Sequence, residues 1–296
     1  MSKNNVKVNS ARAWLLATRP KTLTGAAVPV MIALALAYAD QGRLHIVPAL
    51  LCLLFAFVMQ IDANLINDYF DYRKGTDDEQ RLGPLRACAQ GWVTLPAMKK
   101  AIFITTVIAC AIGLPLIWYG GWGMVVVGVL CVLFCFLYTT HLSYIGMGDV
   151  LVLVFFGLVP VCATYYIQTE HLTVECALAS VACGLVIDTL LVVNNYRDRD
   201  NDRRTGKNTL VTRIGAHASE KLYLGLGVVA CLIGVVFVIN GHWLAFILPF
   251  AYLALHTVCY TRMKEINHGR QLNVILGDNA RNMLIYGILL SLGLIL

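Results

Sequence analysis

Charge is scarce in this chain of 296 residues: Asp, Glu, Lys and Arg together make up 14%. A soluble domain of this size carries roughly 25%. The deficit excludes the water-soluble globular class, and it goes with 58% hydrophobic residues and a mean hydropathy of +0.70. No basic patch with interleaved aromatics stands apart from the apolar runs, which argues against nucleic acid as a partner. The ten cysteines form no CxxC or Cys/His cluster and the seven histidines show no metal spacing. No zinc or iron–sulfur site is expected, and the thiols read as small apolar packing groups. Residues 1–21 are polar and no small-residue processing site follows the first apolar run, so no cleavable signal peptide is expected. No obligate protein partner is evident.

What is present is a series of long apolar runs. They predict an all-α, polytopic membrane protein with helices near 22–39, 46–66, 99–118, 122–140, 148–167, 173–195, 221–239, 243–260 and 282–296. Pro29, Pro115 and Pro160 fall inside runs, which membrane helices tolerate. Two long polar loops remain, at 67–98 and 196–220. With nine spans and the N-terminus in the cytoplasm, 22 of the 23 basic residues lie inside and only Arg43 lies outside. Basic residues favour the cytoplasmic side, so span count and orientation support each other. The expectation is a multi-pass protein of the inner (plasma) membrane, with N-terminus and both loops cytoplasmic and C-terminus outside.

The scarce carboxylates are concentrated where those loops begin. Asn64, Asn67, Asp68 and Asp71 fall at i, i+3, i+4 and i+7, and Asn194, Asp198 and Asp202 at i, i+4 and i+8. Such spacings put each set on one stripe of a helix. Carboxylates side by side repel one another, so a cation should sit between them. Hard oxygen ligands suit Mg²⁺, which is commonly held by a few carboxylates and substrate phosphates. Capping a helix end needs one such residue, not four on a stripe recurring twice. Among the basic loop residues, Lys74, Arg81, Arg86, Arg204, Lys207 and Arg213 are candidates for contact with a diphosphate or simply topogenic charge. Asp62 and Asp188 lie deeper in their helices, as core polar residues or as cavity lining. Asp149 and Asp278 read as carboxylates at helix starts.

Asn67–Asp71 can be laid on Asn194–Asp198 at an offset of 127 residues, and each copy precedes a glycine, Gly75 and Gly206. Two weak repeats, about 22–140 and 148–260 with a final helix after them, would make one domain over 1–296 with its site at the repeat interface. An ion-coupled secondary transporter is a competing class, but its site should lie near the bilayer midplane rather than at helix ends. The Asp-Gly-x-x-Ala-Arg pattern of a CDP-alcohol phosphotransferase is absent.

These residues resemble the UbiA superfamily of intramembrane prenyltransferases. Asn67, Asp68 and Asp71 match its Asn-Asp-x-x-Asp signature, and Asp198 and Asp202 its Asp-x-x-x-Asp signature. Nine helices in a bundle with two cytoplasmic cap loops match as well. The segments Arg19–Leu23, Gly83–Arg86 and Gly206–Leu210 and the pair Asn194-Asn195 look like the branch that acts on 1,4-dihydroxy-2-naphthoate rather than 4-hydroxybenzoate. The resemblance implies transfer of a polyprenyl group from its diphosphate to that aromatic acid, with loss of CO₂, to give demethylmenaquinone. It implies Mg²⁺ on Asp68, Asp71, Asp198 and Asp202 as the catalytic carboxylates, with Asp77 serving in place of a carboxylate where Gly75 stands. It implies substrate contacts from Asn64, Asn67, Lys74, Arg86, Asn194, Asn195, Arg197, Lys207 and Tyr138. One departure is that Thr139, Thr140 and His141 follow Tyr138, where relatives of the hydroxybenzoate type place a basic residue.

Overall fold

The structure, a computed structural model, describes residues 6–75 and 81–296; Asp77 lies outside the described residues. The described residues form helices and turns, with no strand among them. A short helix, α1 (Ala11–Thr18), begins at Ser10, whose Oγ accepts a hydrogen bond from the Ala13 N–H, as serine N-caps do. Arg19, at φ 49°, turns the chain, and Pro20 opens the turn into α2 (Leu23–Gln41). Then follow α3 (Ile46–Arg73), α4 (Leu95–Gly120), α5 (Gly123–Leu142), α6 (Gly148–Thr169), α7 (Val174–Arg204), α8 (Ala216–Ile239), α9 (Trp243–Ile266) and α10 (Leu272–Ile295).

Eight stretches among the described residues are long and apolar enough to cross a membrane: Ala11–Gln41 and each of α3 to α9. This is a multi-pass membrane protein. The expected ninth span, α10, has the length but carries Asp278, Asn279, Arg281 and Asn282 in its first half. Those groups are satisfied by protein rather than lipid. Asn279 and Asn282 are fully buried, and Asp278 pairs with Arg262 at 2.6 Å and Arg281 at 3.5 Å. The helix begins ten residues before the expected start, so Asp278 sits inside it and does not cap it.

Helix α7 is the centre of the bundle, packing on α2, α6, α8 and α10. Close approach to α6 depends on two glycines. A Cβ on Gly157 would fall 2.5 Å from the Ser180 carbonyl oxygen, and one on Gly184 would fall 2.7 Å from Leu153 Cδ1. Small residues are how membrane helices meet, since lipid supplies no hydrophobic drive between them. A π-helical turn, Leu153–Leu158, marks this contact on α6. By contrast α5 leaves Val126, Val129 and Leu133 exposed, as a lipid-facing helix should.

Candidate active site

The carboxylate clusters lie on helices, not in loops. Helix α3 runs to Arg73 and α7 to Arg204, well past the expected ends near 66 and 195. Each then reaches a left-handed glycine, Gly75 at φ 72° and Gly206 at φ 74°. Between α2, α3, α5, α6, α7 and α10 the bundle encloses a cavity of about 1420 Å³. Asn67 and Asp71 of α3 line one side of its polar end, and Asn194, Asp198 and Asp202 of α7 line the other. Lys207 and Arg81 are in electrostatic reach of both Asp71 and Asp202. The rest of the cavity is apolar and runs on to Leu116, Ile117 and Met124 of α4 and α5.

The first stripe divides. Asn67 faces the cavity and its Oδ1 accepts from the Thr139 hydroxyl. Asp71 pairs with Arg86 at 3.2 Å, an arginine brought back by the loop after α3. Asp68 faces elsewhere. It is fully buried, is not part of the cavity wall, and its oxygens accept from the backbone N–H groups of Ala87 at 2.8 Å and Cys88 at 2.9 Å. Asp68 thereby anchors the loop, with Arg19 Nη2 4.0 Å from its Oδ2, and its surroundings differ from those of Asp71. One residue along a helix is a rotation of about 100°, so a four-residue stripe has two edges. Asn64 is likewise turned away, donating to the Thr18 carbonyl at 3.0 Å and to Thr22 Oγ1 at 2.8 Å, where α1 joins α2.

On α7, Arg197 is buried beneath the site instead of lining it. Its Nε donates to Asp198 Oδ1 at 2.8 Å, its Nη2 to Asn194 Oδ1 at 2.8 Å and its Nη1 to Asn273 Oδ1 at 2.8 Å. The guanidinium therefore orients three cavity-lining side chains at once. A Cβ on Gly83 would fall 2.8 Å from Arg197 Nη2, so the first loop presses on the second cluster. Lys207 Nζ stands 3.8 Å from Asp202 Oδ1, while Asp202 Oδ2 is buried with no hydrogen-bond partner among the described residues.

Arg86, Lys207 and Tyr138 line the cavity. Tyr138 opens a π-helical turn, Tyr138–Leu142, at the end of α5. Asn195 is buried and reaches only a small side pocket. Lys74 is spent on α5: it donates to the carbonyls of Thr139 at 3.2 Å and Thr140 at 2.7 Å, 4.0 Å above the Tyr144 ring. Desolvation holds its ammonium below the usual lysine range, and the charge of Asp71 works against that. Arg19, Asn273 and Arg281 also line the cavity, and sequence reasoning assigned them no role there. For Arg19 the signal was a basic residue ahead of a proline at the membrane boundary.

Among the described residues no three carboxylate, histidine or cysteine side chains converge on one point as a closed metal site would require. The set fits Mg²⁺ in the other way open to it. A few carboxylate and amide oxygens on opposite walls, one of them orphaned on Asp202, are suited to an ion shared with a phosphate ligand.

Residues 26–272 match the model of the UbiA prenyltransferase family. The chain belongs to that family. It is 38% identical over 237 residues to 1,4-dihydroxy-2-naphthoate octaprenyltransferase of Escherichia coli (strain K12), covering 76% of this chain and 77% of that one. It is 32% identical over 297 residues to the Haemophilus influenzae protein of the same description, covering 96% of each. Among solved structures, a UbiA homolog from Archaeoglobus fulgidus bound to GPP and Mg²⁺ superposes with a TM-score of 0.67 at 13% identity, covering 94% of this chain and 99% of that one. This UbiA-family chain thus shares the fold of a protein that holds a prenyl diphosphate with Mg²⁺.

Proposed function

We propose that the protein transfers a polyprenyl group from polyprenyl diphosphate to 1,4-dihydroxy-2-naphthoate, releasing CO₂ and diphosphate and giving the hydroquinone of demethylmenaquinone for menaquinone biosynthesis. The observation that carries this reading is one cavity with facing Asn/Asp walls and cations at its polar end, continued by a long apolar chamber. A diphosphate belongs at the first and an isoprenoid tail in the second. The acceptor is named by the relatives at 32–38% identity, and Asn194-Asn195 supports it.

Asp71, Asp198 and Asp202, with Asn67 and Asn194, would hold Mg²⁺, which when bound neutralises charge on the diphosphate leaving group. Arg86 and Lys207 bring cationic donors to the same end of the cavity, where developing charge on the leaving oxygen is stabilised most. Arg197 fixes Asp198 and Asn194 so that no reorganisation is needed during ionisation. The apolar walls of α4 and α5 keep water from the allylic cation. Both walls of the site occupy helix ends rather than mid-span positions, which disfavours an ion-coupled transporter. The distribution of basic residues supports a reading with these ends and the N-terminus on the cytoplasmic face of the plasma membrane and α10 as a ninth crossing.

Purified protein with Mg²⁺, farnesyl diphosphate and equal concentrations of 1,4-dihydroxy-2-naphthoate and 4-hydroxybenzoate should give chiefly the prenylated, decarboxylated naphthalene product by mass spectrometry. Chelation of the metal should abolish it. A clear preference for 4-hydroxybenzoate would assign the protein to the other quinone branch and leave the metal chemistry intact.

A further inference from the structure

Asp62 of α3 and Asp188 of α7 lie 126 residues apart, close to the offset between the Asn/Asp faces, yet their surroundings differ. Thr105 and Thr106 both donate to Asp62, Thr106 at 2.7 Å. Asp188 is 5% exposed, and its Oδ1 has no hydrogen-bond partner among the described residues. Across the contact between α6 and α7 stands Asp149, in electrostatic reach of Asp188. Its Oδ1 is also buried without a partner among the described residues. Buried oxygens left this way are costly unless they serve a proton or a ligand.

A second feature bears on Asp149. Beside the main cavity is a pocket of about 10 Å³, lined by Asp149 with Tyr138, Ser143, Asn195, Lys207 and Thr209. That is about the room one water needs, and the lining supplies its polar partners. Tyr138, Ser143 and Lys207 line the main cavity too, so the pocket joins Asp149 to the space available to the acceptor. The phenol reaches the backbone just before Asp149, since a Cβ on Gly148 would lie 4.0 Å from Tyr138 Oη.

We propose that Asp149 and Asp188 together accept the hydroxyl proton of the aromatic acceptor, relayed through Tyr138 and a water in the small pocket, and return it when the product forms. This rests on the aromatic-acceptor reading above. Two carboxyl groups in electrostatic reach of one another within a low-dielectric wall disfavour ionising together, so one can hold a proton while the other stays charged. The pair can thus take up a second proton and become neutral. The acceptor's O–H bond breaks and its electrons stay on oxygen, enriching the ring. A C–C bond forms from the carboxyl-bearing ring carbon to the allylic carbon, while diphosphate departs with the C–O pair. Departure of CO₂ leaves its bonding pair in the ring, restoring the oxyanion, which recovers the proton from the carboxyl pair. No oxidant or further reactant is needed. Lys207 faces the relay from one side, and Asp71, Asp188 and Asp202 are all in electrostatic reach of Tyr138.

The test uses D149N, D188N and Y138F in the full-length protein with Mg²⁺ and farnesyl diphosphate. Each should lose about 100-fold in kcat on 1,4-dihydroxy-2-naphthoate, the scale of a lost general base, with the KM for farnesyl diphosphate unchanged. The loss should shrink on ring-halogenated acceptors, whose hydroxyl is more acidic, and as pH rises. A kcat within threefold of wild type in all three variants overturns the proposal. So does an equal loss on every acceptor regardless of acidity, which is the mark of a structural role. If an aspartate variant fails to bind farnesyl diphosphate, Y138F alone decides by the same acidity dependence. Wild-type protein that prenylates no hydroxyaromatic acid would instead defeat the acceptor reading.

Discussion

Arg197 grips the carboxylate of its neighbour Asp198 with two guanidinium nitrogens, Nε to Oδ1 at 2.8 Å and Nη2 to Oδ2. The arginine side chain is fully buried and the aspartate keeps one edge toward the cavity. A planar fork can do this and an ammonium cannot. R197K should therefore fold but lose at least tenfold in kcat, with a higher Mg²⁺ concentration for half-activation. R197A should also lower the melting temperature, because Asp198, Asn194 and Asn273 all lose the donor that holds them. Wild-type Mg²⁺ dependence in R197K would remove its assigned role in orienting Asp198.

Asp68 and Asp71 are three residues apart and should behave differently. D71N, D198N and D202N should each lose orders of magnitude in turnover, as removal of a metal ligand does, with little change in melting temperature. D68N should melt lower, since it disturbs two buried backbone N–H groups at about 1–3 kcal/mol for each one left unsatisfied. Its Mg²⁺ half-activation should stay near wild type. A shift in D68N as large as that in D71N would return Asp68 to the metal set.

Arg86 and Lys207 reach the polar end of the cavity from two separate loops. R86A and K207A should raise the KM for prenyl diphosphate about tenfold or more and leave the KM for the naphthoate within a few-fold. Steady-state kinetics with each substrate varied in turn checks this, and an effect confined to the acceptor would contradict it.

The α6–α7 contact has no space for a methyl group at Gly157, where a Cβ would meet backbone at 2.5 Å. G157A should destabilise by about 1–3 kcal/mol, the usual cost of overpacking, seen as a lower melting temperature in detergent. G128A, on α5 where nothing lies within 4 Å, is the control and should melt like wild type.

The ninth crossing is tested by topology. Alkaline phosphatase fused after Leu296 should be active and the same reporter after Gly206 inactive. An inactive C-terminal fusion would leave eight crossings and place α10 otherwise.

Membrane class and the carboxylate clusters were legible because composition and short-range spacing carry them. Helix ends were not. Expected stops near 66 and 195 followed the onset of polarity, but α3 and α7 continue to Arg73 and Arg204 because their polar side chains face a cavity, other protein or the helix-end surface rather than lipid. Polarity marks a change of surroundings, while a helix ends where its backbone does, here at Gly75 and Gly206. The start of α10 was missed for the same reason, since Asp278 is neutralised by Arg262 from a neighbouring helix.

By itself the sequence determined that this chain lives in a membrane, that its charge gathers toward the ends of the apolar runs, and that two Asn/Asp faces recur at one offset. These follow from counts and from periods of a few residues, which local chemistry sets. Only the tertiary structure decided that Asp71 faces the cavity and Asp68 the loop, that Arg197 lies under the site, and that Asp188 lacks the partners Asp62 has. Each of those depends on what a distant segment places against one edge of a helix, and helical spacing is the same whichever edge that is.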